Sequence, residues 1–238
     1  MRIRYYKNIF YIFLPLIILL PSFSSSSDNP KADNYNIILK TKNSLEKGEY
    51  EKTITQITDI IDKFPFFEDY LLFWRAQAYE GIGEIDKALI DLKVVSERHK
   101  DSPILKRVKI KEAELYHKKK DTLYLSLLES LAKEYPQDLN IKYIYAMALK
   151  ENKEIEKAKN LFKAIFVSAS PLSKDVVTEL SDSDITAEDL LKKGKNLNSA
   201  WLFTEAENYL RDALKKKPKE EIRKQILEAL AYSLFRQK

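Results

Sequence analysis

The stretch GIGEIDKALIDLKVVSERHKDSP, residues 81–103, predicts a turn followed by a helix with a single apolar face. Gly83 stands where a turn between two antiparallel helices needs a left-handed residue, a conformation that costs glycine nothing. Ala88, Leu92 and Val95 then follow at spacings of four and three residues. This is the spacing of a helix face that packs on a core.

The same pattern recurs along the chain with a period of about 35 residues, or a multiple of it. Residues 46–65, 150–166 and 199–218 read EKGEYEKTITQITDIIDKFP, KENKEIEKAKNLFKAIF and SAWLFTEAENYLRDALKKKP. In each segment, a small residue is followed four positions later by a large apolar residue, and three positions after that by another apolar residue. These columns are Thr53, Ile57 and Ile60; Ala88, Leu92 and Val95; Ala158, Phe162 and Ile165; and Ala206, Leu210 and Ala213.

The segments that precede these turns carry a complementary apolar face. Its members are Leu72, Ala76 and Tyr79, then Ala146 and Leu149, then Leu190, Gly194 and Leu197. Prolines at 65, 136 and 218 follow the second helix of a pair and predict its end. The sequence therefore predicts antiparallel helix pairs without strands, in close contact at Ala88, Ala158 and Ala206.

Two segments depart from the period. The unit from Ile104 to Pro136 has Leu123 where alanine is expected. Residues 167–186, VSASPLSKDVVTELSDSDIT, are an insertion that predicts a short helix and then a polar break. Thr186 and Asp189 have the spacing of a capping box for the helix that follows.

These columns resemble the tetratricopeptide repeat, a helix–turn–helix unit of 34 residues. The resemblance implies an all-α, right-handed superhelical solenoid, with four repeats over 34–166, the insertion over 167–186, a fifth repeat over 187–218 and a C-terminal helix over 219–238. An amphipathic helix bundle without a superhelix is the alternative.

The N-terminus has the pattern of an export signal. Arg2, Arg4 and Lys7 precede an apolar run from Ile9 to Leu20, which is shorter than the roughly 20 residues of a membrane span. We assign residues 1–25 to a signal peptide and 26–33 to a linker, which predicts the periplasm or cell envelope. An uncleaved signal anchor is the alternative, and this signal is the only membrane contact that we expect.

Composition argues against most enzymes. The chain has no Cys, 2 His and 4 Gly, so disulfides, thiolate chemistry and glycine-rich nucleotide loops have no basis. His99 and His117 lie far apart in polar segments. Without the three basic residues of the signal, the net charge falls from +5 to +2, and nothing else points to nucleic acid. We expect no catalytic residue, no metal and no cofactor.

A second resemblance concerns the order of three sequence segments near the C-terminus. The stretch LFKAIFVSASPLSKDVVTEL (161–180), followed by GKNLNSAWLFTEAENYLRDAL (194–214) and AYSLFRQ (231–237), is similar to the helical N-terminal region of soluble lytic murein transglycosylases. In that family a lysozyme-like domain with a catalytic Glu-Ser follows. Here the only Glu-Ser is Glu129-Ser130, in a repeat helix, so no catalytic residue is carried over.

The resemblance to tetratricopeptide arrays implies a concave groove lined by the first helices, which can stack on sugar rings or bury apolar side chains of a partner. We expect its lining to include Tyr70, Phe73, Trp74, Gln77, Tyr143 and Met147, although Phe73 and Trp74 also suit a packing role between repeats.

A second expected contact surface is on the C-terminal helix. Ile222, Ile226, Ala229, Leu230 and Leu234 form one stripe that can pack on the preceding pair. Leu227, Ala231 and Phe235 form another that stays exposed, which predicts self-association or a partner.

The sequence thus predicts an exported, non-enzymatic scaffold of the envelope that binds a protein, a peptide or a peptidoglycan strand and is linked to peptidoglycan turnover. The alternatives are the N-terminal part of a lytic transglycosylase without its catalytic domain, and an assembly adaptor unrelated to glycan.

Overall fold

The computed structural model describes residues 30–238, with side chains from residue 35 onwards. The predicted signal peptide lies outside the described residues. Within them the chain forms twelve α-helices and three short 3₁₀ segments, and no strand. The helices are α1 Pro30–Glu46, α2 Tyr50–Ile60, α3 Glu68–Gly81, α4 Ile85–Arg98, α5 Leu105–Lys118, α6 Leu123–Glu134, α7 Leu139–Glu151, α8 Ile155–Phe166, α9 Leu172–Asp175, α10 Ala187–Ser199, α11 Phe203–Lys215 and α12 Glu220–Arg236.

Ten of the helices form five antiparallel pairs: α1–α2, α3–α4, α5–α6, α7–α8 and α10–α11. Each of the first four packs on the next, and the fourth and fifth share one core cluster with the insertion. The contact alanines Ala88, Ala158 and Ala206 are fully buried, as the repeat pattern predicts. The residues four and seven positions later are buried as well. Because a small residue sits at each crossing, the two helices of a pair approach closely there.

Each pair is joined by a three- or four-residue turn that contains one left-handed residue. Gly48 and Gly83 have the expected positive φ, at 75° and 83°. Lys120, Lys153 and Trp201 adopt the same conformation in the other turns, at 57°, 64° and 63°. In every turn the next amide donates to a carbonyl five residues back, as in Glu84 N to Tyr79 O at 2.9 Å. The five first helices therefore share one Schellman C-cap.

The third pair corrects the expected register. Leu123 is the first residue of α6 and is 51% exposed, so it does not occupy the alanine column. Tyr124, Leu128 and Leu131 are buried instead, again at spacings of four and three. The α5–α6 turn is one residue longer than the others, which moves the contact face on by one position. Tyr124 fills the column with its ring, and Asn152 Nδ2 donates to its hydroxyl.

The insertion between α8 and α10 contains α9 and the 3₁₀ segment Val177–Glu179, and both pack on α8. Thr186 and Asp189 form the predicted capping box at the start of α10. At the other end of the chain, α1 begins at Pro30, inside the segment expected to be linker. Proline suits the first position of a helix, because its missing amide proton would have had no partner there.

Polar contacts also join neighbouring first helices. On α3, Glu80 accepts from Lys118 of α5 and lies 3.3 Å from Lys111 Nζ. His117 Nε2 of α5 lies 2.9 Å from Glu151 of α7, and Lys150 of α7 reaches Glu179 of the insertion. This inter-repeat ladder runs along the ends of the first helices.

Within the second pair, Arg75 makes a bidentate ion pair with the buried carboxylate of Asp91, at 2.8 Å for both bonds.

Candidate partner-binding surface

Two of the expected groove residues form an aromatic cluster near the N-terminal end of α3. Tyr70 stacks on Phe67, with ring centroids 4.7 Å apart and the planes inclined by 6°. Trp74 meets both rings edge-on, at 5.5 Å and 6.5 Å. All three side chains are half-buried, and Trp74 packs against the cores on both sides of α3.

The neighbouring helix covers the other expected residues of α3 to different extents. Phe73 is only 4% exposed, and the Arg107 guanidinium of α5 lies 5.2 Å from its ring centroid. Its side chain is part of the core between repeats, so no ligand reaches it in this conformation. Gln77, one turn further on, is half-buried.

Tyr143 and Met147 of α7 lie two repeats away, in a different core cluster. Tyr143 is half-buried 6.4 Å from the Phe162 ring, and burial raises the pKa of its hydroxyl. Met147 is also half-buried. The structure therefore does not join the α3 and α7 residues into a single pocket.

A shallow cleft lies between α10, the first helix of the fifth pair, and α12. The cleft has a volume of about 410 Å³, and more of its surface is apolar than polar although most of its side chains carry a polar group. Its side chains are those of Lys195, Asn198, Ser199, Gln225, Glu228, Ala229 and Tyr232. Lys195 Nζ donates to Gln225 Oε1 at 3.0 Å across it. Below, Asn198 bonds to Ala229 O and to the Ser233 hydroxyl, which fixes α12 against α10.

One residue of the cleft holds the same helix position as two of the predicted groove residues. Tyr232 directly precedes the buried Ser233, just as Gln77 precedes the buried Ala78 on α3 and Met147 precedes Ala148 on α7. The three residues thus occupy equivalent positions on their helices. None of the residues predicted for the groove lines this cleft, and their role in binding stays a prediction.

Beside the cleft, three aromatic rings surround one guanidinium group. Arg236 lies 4.5 Å from the Trp201 ring centroid, 5.3 Å from that of Phe203 and 5.8 Å from that of Tyr232. Trp201 is 70% exposed and holds a positive φ in its turn. The equivalent residues of the other turns adopt the same conformation, so it belongs to the shared C-cap. This cluster has no signature in the sequence, because its members are up to 35 residues apart.

The C-terminal helix leaves one apolar face bare. Leu227 is 45% exposed, Phe235 is 73% exposed, and Ala231 between them is exposed as well. Leu234, expected on the packed side, is 39% exposed and belongs to this face instead. It was misassigned because Ser233, not Leu234, completes the packed stripe and bonds to Asn198.

A buried cation lies where the insertion meets the fifth pair. Lys193 is 2% exposed, and its ammonium donates to Ser168 O and Ser173 Oγ at 2.6 Å each. Tyr209 and Phe166 present their ring faces at 5.4 Å and 5.6 Å. Burial lowers the pKa of Lys193 to about 8. The lysine ties the insertion to α10.

The histidines have structural partners. His99 Nε2 lies 3.0 Å from Glu68, and His117 pairs with Glu151 in the inter-repeat ladder. Spacing in the sequence did not reveal these carboxylates, because each comes from a different helix. Over residues 35–238, no three His, Asp or Glu side chains cluster as metal ligands would. None of the helices in the described part of the chain is long and apolar enough to cross a bilayer.

No protein-family model and no curated protein sequence matches the chain. Among solved structures, a tetratricopeptide repeat protein from Parabacteroides merdae superposes with a TM-score of 0.52 at 16% identity, over 85% of this chain and 99% of that one. The fold is that of a tetratricopeptide-repeat solenoid.

Two further solved structures are less similar to the tetratricopeptide-repeat solenoid described here. MamA from Desulfovibrio magneticus gives a TM-score of 0.45 at 16% identity, covering 79% of this chain and 96% of that one. A thermophilic tetratricopeptide protein from Thermus thermophilus gives 0.42 at 18%, covering 83% and 98%. At these identities the comparisons show the fold alone, and none of them supports the resemblance to lytic transglycosylases.

Proposed function

We propose that this solenoid is a non-catalytic scaffold that binds a protein or peptide partner in the cleft between α10 and α12. The observation that carries the proposal is the open cleft itself, flanked by the exposed Trp201. Its rim combines amide, cationic and carboxylate groups with the Tyr232 ring, a mixture that suits a peptide backbone and its side chains. Tryptophan, tyrosine and arginine are also the residues that dominate binding energy at interfaces.

The proposed place of action is the cell envelope. This part rests on the signal-like residues 1–25, outside the described residues. The link to peptidoglycan turnover rests on the sequence resemblance of residues 161–237. We propose that the bound partner, and not the solenoid, acts on peptidoglycan. The exposed face of α12 is a second contact surface, at which the sequence also predicts self-association.

Site-specific cross-linking in cells tests the cleft. A photo-reactive amino acid replaces Glu228 on the cleft rim, and a matched control replaces Asn208, an exposed residue of α11 outside the cleft. We expect one defined protein adduct at position 228 and none at 208. Equal labelling at both positions, or no adduct at 228, would exclude the cleft as the binding site.

Sedimentation with isolated sacculi separates a protein partner from glycan. The purified chain should stay in the supernatant when no other protein is added. If it pellets with sacculi unaided, the ligand is the glycan strand, and the scaffold contacts peptidoglycan directly.

Export is tested with a fusion of residues 1–35 to a reporter that is active only in the periplasm. The reporter should be active, and the mature chain should begin between about residues 23 and 28. Full-length protein recovered from the cytosol would contradict export.

A further inference from the structure

The register of α12 shows which kind of helix it is. In α3, α7 and α12, two buried residues seven positions apart face the preceding pair: Leu71 and Ala78, Ile141 and Ala148, Ile226 and Ser233. Leu71 packs with Ile57 and Ile60 of α2, and Ile141 packs with Leu128 of α6. The helix α12 therefore packs on α10 and α11 as the first helix of a sixth unit would.

In complete pairs, the residues one position further on face the pair's own second helix. On α3 these are Leu72 and Tyr79, with Ala76 between them, and on α7 they include Ala146 and Leu149. The corresponding residues of α12 are Leu227, Ala231 and Leu234. The first helices bury this stripe against α4 and α8, whereas no helix among the described residues covers it on α12.

The internal pairs also show what fits such a stripe. On α10 the central residue is Gly194, where a Cβ atom would lie 2.5 Å from Leu210 Cγ of α11. The small central residue of a first helix is thus a recess for a large side chain of the second helix. The second helices supply it with one pattern, which is Ala88-Leu92-Val95, Ala158-Phe162-Ile165 and Ala206-Leu210-Ala213.

We propose that Leu227, Ala231 and Leu234 dock an amphipathic helix from a partner chain, which completes the sixth pair. The partner helix carries a small residue, a large apolar residue four positions later and an apolar residue three after that. A second copy of α12 that pairs antiparallel about Ala231 fits less well, because it sets another alanine opposite the recess. This inference deepens the proposed protein-binding function by naming the chemistry of a partner at a second surface.

A helical peptide with the α11 sequence, residues 203–218, is the probe. A covalent link between positions 207 and 211 replaces the Glu207–Arg211 ion pair on its polar side and holds it helical, which circular dichroism verifies. The exported, mature chain is titrated with this peptide. We expect saturable binding that weakens at least tenfold in Ala231→Lys and stays unchanged in Glu221→Gln. Both substitutions change the charge by +1 at exposed positions of α12, so both variants should fold.

A peptide with Leu210→Lys should not bind, because the recess at Ala231 needs an apolar side chain. The proposal is overturned if the α11 peptide does not bind, or if it binds Ala231→Lys as tightly as the unmodified chain. It is also overturned if sedimentation shows a dimer that Ala231→Lys dissociates and the peptide does not, since a second copy then covers the stripe. An adduct at position 228 that persists in Ala231→Lys reports on the cleft and not on the stripe, so the two proposals fail separately.

Discussion

Single residues set the turns of this solenoid, and three of them do so at a cost. An L-residue in the left-handed region is disfavoured by roughly 1–2 kcal/mol relative to the right-handed one, whereas glycine is not. Lys120, Lys153 and Trp201 carry this cost, and Gly48 and Gly83 avoid it. The Schellman hydrogen bonds hold all five in place.

Replacing Lys153 by glycine should therefore stabilise the protein. We expect Lys153→Gly to raise the free energy of unfolding by about 0.5–1 kcal/mol, because glycine's extra freedom in the unfolded chain offsets part of the gain. Urea denaturation measures it. Gly83→Ala is the matched opposite, since a Cβ at this position meets no atom within 4 Å and only the backbone cost remains. If both variants change the free energy of unfolding in the same direction, the cost of the left-handed conformation does not explain the change.

Lys193 predicts a pH dependence. Its pKa is about 8 in the folded protein and 10.5 ordinarily, so between these values the folded state binds fewer protons than the unfolded state. Stability from this group then rises with pH across that window, and below about pH 8 the burial penalty is fully present. Between about pH 7.5 and 10, the unmodified protein should gain roughly 1–3 kcal/mol relative to Lys193→Met.

Chemical denaturation at a series of pH values measures this difference, and Lys192→Met, at an exposed position beside it, is the control. Parallel pH profiles for the unmodified protein and Lys193→Met would mean that Lys193 keeps an ordinary pKa.

At the scale of the helices, the apolar columns predicted most of the fold. The second helices α2, α4, α8 and α11 bury the predicted columns, because a spacing of four and three leaves a helix only one way to face a core. Leu123 was misplaced because a one-residue change in turn length leaves no mark in composition. The cleft and the Arg236 cluster were not predictable, since they depend on how α12 lies across α10 and α11.

The contact alanines give the prediction at this scale. Ala158→Leu should lower the free energy of unfolding by about 1–3 kcal/mol, because the added carbons have no space where α7 and α8 cross. Ala88→Leu and Ala206→Leu should behave alike. Thermal melts measure the loss, with Ala164→Leu on the exposed side of α8 as the control. If all three variants melt with the parent protein, the helix register is wrong.

Across the described part of the molecule, the core is divided into clusters that each join neighbouring helix pairs. The cluster around Leu128 and Leu131 joins the third pair to Ile141 of α7, and half-buried residues such as Tyr116 and Leu125 connect it to the other clusters. Stability in such arrays is close to a sum of units and nearest-neighbour contacts. We therefore expect that the middle of the solenoid can open while the two ends remain folded.

Leu128→Ala tests this at the level of the molecule. The substitution should cost about 2–5 kcal/mol. Amide hydrogen exchange should then lose protection mainly in α5 and α6, while α10–α12 keep theirs. Leu210→Ala is the reciprocal variant and should expose the C-terminal helices first. Equal loss of protection along the whole chain would show a single cooperative unit.

The insertion anchored by Lys193 limits how an array like this one can grow by duplication. A duplicated α3–α4 pair keeps its buried ion pair, because Arg75 and Asp91 both lie within that pair. A copied α10–α11 pair would carry a buried ammonium without Ser168 and Ser173, its acceptors in the preceding segment. A pair on the N-terminal side of the insertion can therefore be duplicated by itself. The fifth pair has to be duplicated together with residues 167–186, which hold the acceptors of Lys193.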